Sequence, residues 1–126
     1  MSESLACAAV NAALSTDIGA IFVLTTSGNT ARLVSKYRPR CPIITVTRNA
    51  RTARNSHLYR GSYPLHYDVE RPEGEWQDDV DHRVLWAMDQ ARSMGLVKAG
   101  TSVIAIQGWK QGAGFTNTMR VLTVPA

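Results

Sequence analysis

A chain of 126 residues, 44% hydrophobic and with a net charge of +4, has the size of one domain and enough apolar material for its own core. No stretch reaches the roughly 18 apolar residues of a membrane span, and Met1-Ser2-Glu3-Ser4 has neither the basic start nor the apolar run of a secretory signal. Cys7 and Cys41 fall in different expected elements and read as structural thiols of a reducing compartment, which points to the cytoplasm.

The Ala-rich segment Leu5 to Leu14 is expected to be a well-covered helix. Ala20-Ile21-Phe22-Val23-Leu24 is a continuous apolar run, the signature of a strand buried on both faces of a parallel sheet. A helix pattern runs from Ala31 to about Tyr37 and stops before Pro39. Ile43-Ile44-Thr45-Val46 is a second buried strand, and Asn49 is the expected N-cap of a helix through Thr52 to about His57. Tyr63 to Tyr67 reads as a third strand. Pro64 puts it at an edge, because proline donates nothing to a ladder.

The longest helix is expected from about Gln77 to Met94, with Val80, Val84, Ala87, Met88 and Ala91 on one stripe and Gly95 as its stop. Asp78, Asp79 and Asp81 crowd its start, where the helix dipole favours negative charge. Ser102 to Ile106 is a fourth strand, and Met119 to Val124 a fifth, joined to it as an antiparallel hairpin. Strands alternating with helices imply an α/β three-layer sandwich: a five-stranded, mostly parallel sheet whose last strand is antiparallel.

Charge is distributed in blocks. Arg32, Lys36, Arg38, Arg40, Arg48, Arg51, Arg54 and Arg60 follow one another with no acid between them. Eight acids lie between Asp68 and Asp89, interrupted only by Arg71 and Arg83. Solvated faces, paired with each other or across a subunit contact, account for most of this. A nucleic-acid partner is not expected, since no exposed aromatics interleave the basic block and no nucleic-acid motif appears. A membrane partner is not expected either.

In α/β sheets, ligands bind beyond the carboxyl ends of the strands, where strand order reverses. Two loops have that position and a suitable composition. Thr25-Thr26-Ser27-Gly28-Asn29-Thr30 packs four hydroxyls and a glycine between a strand and a helix. Unpaired N–H groups at a helix start, the dipole and the hydroxyls together suit a phosphate. The plainer reading is a cap, with Ser27 or Thr30 satisfying the helix start. No Gly-Lys-Ser/Thr follows, so this is not a Walker loop. Gly108-Trp109-Lys110-Gln111-Gly112-Ala113-Gly114 could fold over a ligand, its glycines admitting close backbone approach; the plainer reading is a hairpin connection. Arg83 by itself reads as a surface ion-pair partner of Asp79 or Asp81, and Trp76 as a hydrophobic anchor at the helix entry. His57, His66 and His82 lack metal-ligand spacing, and there is no GxSxG elbow.

Taken together, Val23-Leu24-Thr25-Thr26-Ser27-Gly28-Asn29-Thr30-Ala31-Arg32, Tyr37-Arg38-Pro39-Arg40-Cys41-Pro42-Ile43-Ile44, Val46-Thr47-Arg48-Asn49, His57-Leu58-Tyr59-Arg60-Gly61, Trp76, Asp78 to Asp81, Arg83 and Gly108-Trp109 with Gly112 to Thr118 resemble the C-terminal domain of pyruvate kinases, fungal ones above all. The resemblance covers nearly the whole chain. It implies an allosteric site for a sugar bisphosphate, usually fructose 1,6-bisphosphate. Thr25, Thr26, Ser27, Gly28, Asn29 and Thr30 would cradle one phosphate, Arg83 with Trp76 would hold the other, and Gly108 to Gly114 would close over the sugar. It also implies packing against copies of the same domain in a homotetramer. The catalytic lysine, magnesium and potassium of the parent enzyme would lie in a preceding barrel, so the chain is expected to be an excised, non-catalytic fragment that needs no cofactor of its own. Thr26 and Asn29 are uncharged where some family members carry Lys and Arg, which leaves open an assembly domain that has lost its effector.

Overall fold

The apolar run expected as the first strand becomes the centre of the sheet. In the computed structural model, which describes residues 2–68, 76–108 and 116–125, β1 (Ile18–Leu24) lies between β2 (Ile43–Thr47) and β4 (Ser102–Gly108), parallel to both. β3 (Ser62–His66) extends the sheet in parallel beside β2, and β5 (Thr116–Thr123) closes the other side antiparallel to β4. The order is β3-β2-β1-β4-β5. Pro64 thus sits in an edge strand, where its missing N–H costs no ladder bond.

The helices are α1 (Ser2–Ser15), α2 (Asn29–Lys36), α3 (Ala50–Asn55), which runs on into a 3-10 turn at Ser56–Leu58, and α4 (Trp76–Ser93). Successive strand residues point to opposite faces, and the two faces are covered by different helices. Ile21, Val23, Ile43, Ile104 and Ile106 pack under Ala6, Ala9 and Val10 of α1 and Ala31, Leu33 and Val34 of α2. Ala20, Phe22, Leu24, Ile44, Val46, Val103 and Ala105 pack under Val80, Val84, Ala87, Met88 and Ala91 of α4. Each large side chain buried this way, such as the fully enclosed Phe22, contributes roughly 1.5–3 kcal/mol.

The caps follow the sequence in two places. The Asn49 side chain accepts from the backbone N–H groups of Arg51 and Thr52. Gly95, at φ 77, ends α4, its N–H reaching the Arg92 carbonyl and that of Leu96 the Ala91 carbonyl. Two helices begin earlier than their apolar patterns: α1 at Ser2 and α2 at Asn29. Polar residues in a first turn carry no periodicity, so the pattern understates the helix.

This topology fixes where a ligand would sit. The chain steps outward from β1 to β2 to β3, then α4 carries it back across the opposite face to β4, on the other side of β1. Strand order therefore reverses between β1 and β4, and the crevice beyond their carboxyl ends lies between the start of α2 on one face and the start of α4 on the other.

Candidate functional site

Thr25 continues directly from β1, its N–H bonded to the Val46 carbonyl at 3.0 Å. Its hydroxyl accepts from the Gly28 N–H at 3.0 Å, and the Ser27 hydroxyl accepts from the Asn29 N–H at 3.3 Å. The Thr26 carbonyl takes a 2.8 Å bond from the Thr52 hydroxyl, which ties the loop to α3. The cap of α2 is Gly28, in the left-handed region at φ 86, with no side-chain capping bond. The plainer reading holds in part: Gly28 is the cap residue, and the Ser27 hydroxyl satisfies the first amide of α2. Thr26, Ser27 and Asn29 are exposed around the turn, while Gly28 and Thr30 are buried beneath it.

Gly28 is required twice over. Its φ suits glycine, and a Cβ there would stand 3.2 Å from Cγ2 of Thr52, with Ser56 and Tyr59 behind it. Gly28→Ala is expected to cost about 1–3 kcal/mol from backbone strain alone. Gly95→Ala is the control, since φ is similar but nothing lies within 4 Å of its added Cβ. Thermal denaturation should show the larger loss for Gly28→Ala; equal losses would remove the packing argument.

On the other flank of the crevice, the Trp76 indole N–H donates to the Gly108 carbonyl at 3.1 Å, pinning the start of α4 to the end of β4. The Arg83 guanidinium lies 5.2 Å from the centre of the Trp76 ring, within the range of a cation–π contact. Arg83 is not the surface residue that its isolated position suggests: its side chain is 9% exposed and pairs with Asp79 at 3.4 Å. Of the loop expected to close over a ligand, Gly108 ends β4, whereas Trp109, Lys110, Gln111, Gly112, Ala113 and Gly114 lie outside the described residues.

Arg48 and Asp79 were not legible as site residues. Arg48 leaves the carboxyl end of β2 and makes two bonds to the Asp79 carboxylate, at 2.9 and 2.7 Å. The hydrogen bonds to Asp79 push its proton affinity above the ordinary guanidinium value. Its guanidinium also stacks 4.9 Å from the centre of the Tyr67 ring. Asp79, 2% exposed, thus joins β2 to α4 and pairs with both arginines. Arg32 is the other addition. Its guanidinium donates to the Asn29 side-chain oxygen at 2.8 Å, so a cation stands beside the loop although Asn29 is itself neutral. Among the described residues no three His, Cys, Asp or Glu side chains gather as a metal would need, and no helix is long and apolar enough to cross a membrane.

The family described as "Pyruvate kinase, alpha/beta domain" matches residues 3–122. The chain belongs to the pyruvate kinase alpha/beta domain family. Its relatives include the pyruvate kinase of Agaricus bisporus, 54% identical over 98% of this chain, and pyruvate kinase 2 of Saccharomyces cerevisiae, 53% identical over 97%. The pyruvate kinase of Hypocrea jecorina is 52% identical over 95%. The chain spans about a quarter of the length of these relatives; it carries the alpha/beta domain of a pyruvate kinase and not the whole enzyme.

Proposed function

We propose that this alpha/beta domain is a regulatory module that binds a sugar bisphosphate such as fructose 1,6-bisphosphate and biases the active state of a cytoplasmic pyruvate kinase tetramer. In this reading, transfer of the phosphoryl group from phosphoenolpyruvate to ADP, with its magnesium and potassium, belongs to the part of the longer enzyme that this chain does not cover. The domain itself contributes binding and subunit contacts, without catalysis or a cofactor.

One observation carries the reading. The hydroxyl-rich turn at the end of β1 and the Trp76–Arg83 pair beside the end of β4 flank the single point where strand order reverses. One phosphate would rest on the turn at Thr25 to Thr30 and the first amides of α2. The other would meet Arg83, whose planar fork suits phosphate oxygens. An effector shifts an equilibrium only by its differential affinity for the two states, so the bistable part must touch the sugar or the subunit contact.

The test is calorimetry of the chain with fructose 1,6-bisphosphate and, separately, fructose 6-phosphate. A two-ended grip predicts saturable binding of the bisphosphate and at least tenfold weaker binding of the monophosphate, because hydrogen bonds to charged groups are worth about 1.5–3 kcal/mol each. Equal binding of the two, or binding of neither, would overturn the reading.

A second reading rests on Thr26 and Asn29, both uncharged at the turn. The domain then serves subunit assembly alone. Sedimentation decides between them: a tight dimer or tetramer unaffected by the bisphosphate is the result expected of an assembly domain.

A further inference from the structure

The eight basic residues from Arg32 to Arg60 separate in the fold. Lys36 pairs with Glu3, Arg48 with Asp79, and Arg32 bonds Asn29. Arg38, Arg40 and Arg60 instead converge on one cleft of about 630 Å3. Pro42 of its lining precedes β2, Gly61 precedes β3 and Leu96 follows α4, so the cleft lies at the amino rim of the sheet, opposite the crevice. No acid lines it, and none of the three arginines forms an ion pair with a described residue.

The walls are held in place. The Ser35 hydroxyl donates to the Arg60 carbonyl at 2.8 Å, and the Ile43 N–H donates to the Gly61 carbonyl at 2.8 Å. Arg38 is the one described residue other than glycine at positive φ, at 55. It occupies the position after the α2 cap where glycine is usual, and Pro39 behind it has no N–H to complete the turn. A strained backbone at a long cationic side chain calls for a use of that side chain. Tyr63, 41% exposed, with Pro39, Pro42 and Leu96, supplies an apolar wall.

We propose that this cleft is a second anion site, taking a compact small molecule with three or more phosphate or carboxylate charges, independently of the crevice at the carboxyl rim. Guanidinium forks match both kinds of oxyanion. The volume falls within the roughly 300–1,000 Å3 of small-molecule sites, and the apolar wall receives a carbon skeleton. A concave site favours a small ligand over a flat acidic protein surface as the partner of three arginines.

The experiment is an NMR titration of the chain at about 0.15 M salt, where long-range screening is strong, with tripolyphosphate in one arm and citrate in the other. At least one arm is expected to saturate with shifts at the Arg38, Arg40 and Arg60 side chains and at Tyr63. Saturation by tripolyphosphate alone identifies a phosphate ligand, and by citrate alone a carboxylate one. Arg60→Gln and Arg38→Gly should each weaken binding about tenfold, as expected for one charge-assisted contact. Arg38→Gly relieves the strained φ, so its melting temperature should not fall and lost binding cannot be ascribed to lost folding. Arg83→Ala should leave this binding intact. The proposal fails if neither arm saturates, the outcome that an acidic protein partner predicts. It also fails if both cleft variants bind like the parent, or if Arg83→Ala abolishes the shifts.

Discussion

Asp79→Ala is expected to remove about 3–5 kcal/mol of stability, the cost of breaking a buried ion pair from one side. The Asp79 side chain is 3% exposed and that of Arg83 9%, while Arg48 retains 24%. Deleting the carboxylate leaves two guanidinium groups facing each other without the anion between them. Arg48 is the better able to reach water, so the loss should fall at the lower end of the range. Against a typical total of about 5–15 kcal/mol, the melting temperature should still drop by roughly 10 °C or more.

Glu3 offers the contrast. It pairs with Lys36 at 2.6 Å and accepts from the Tyr37 hydroxyl at 2.9 Å, but both charged side chains are more than half exposed. The Lys36 and Tyr37 bonds hold the Glu3 carboxyl below its ordinary range. A depressed carboxyl gives stability above its unfolded pKa and loses it as pH falls through the folded one, and at a pair so exposed that contribution is small. Glu3→Gln should therefore change the melt little, and less still at high salt. A melt of Asp79→Ala as mild as that of Glu3→Gln would show that Asp79 does not carry the junction between β2 and α4.

Much of this architecture is written locally in the chain. The run from Ala20 to Leu24 announces a buried strand because it is apolar without a break, and so on both faces. Pro64 announces an edge, Asn49 a cap, and Gly95 a stop, each through the chemistry of one residue. The stripe from Val80 to Ala91 predicts the buried face of α4, and all five of its residues are buried. Periodicity assigns a face but not a depth: the expected Arg83–Asp79 pair forms, but it is buried and not at the surface. The neighbours of Arg83 on the helix suggest a surface pair, whereas the guanidinium lies 5.2 Å from the centre of the Trp76 ring and the side chain is 9% exposed. The Arg48–Asp79 pair spans 31 positions, beyond any local pattern. The same holds for the basic block, which is legible as a run of charge but not as the separate places its residues reach. The Thr25–Thr30 flank of the candidate site is visible as a loop at a strand end, whereas Trp76 and Arg83 lie on α4 and give no such local sign. That the two flanks face one crevice follows only from the order β3-β2-β1-β4-β5, which no single segment encodes.

Arg83→Ala is expected to lower affinity for fructose 1,6-bisphosphate by at least 30-fold while leaving the fold largely intact, since truncating one partner of a desolvated charge pair costs about 2–5 kcal/mol. The two arginines on Asp79 are not equivalent. Arg48 holds the carboxylate with two short bonds, whereas the Arg83 guanidinium lies 3.4 Å from it. Removing Arg83 leaves Asp79 engaged by Arg48, so the penalty of an orphaned buried charge does not arise. Arg83 can therefore be deleted at small structural cost, and Asp79 cannot. Arg83→Lys should recover only part of the affinity, because a point charge replaces a planar fork over the Trp76 ring. Calorimetry beside a thermal melt separates the outcomes. Lost affinity with an unchanged melt places the guanidinium on the phosphate. Unchanged affinity confines Arg83 to the ion network and removes the second phosphate from this end of the crevice.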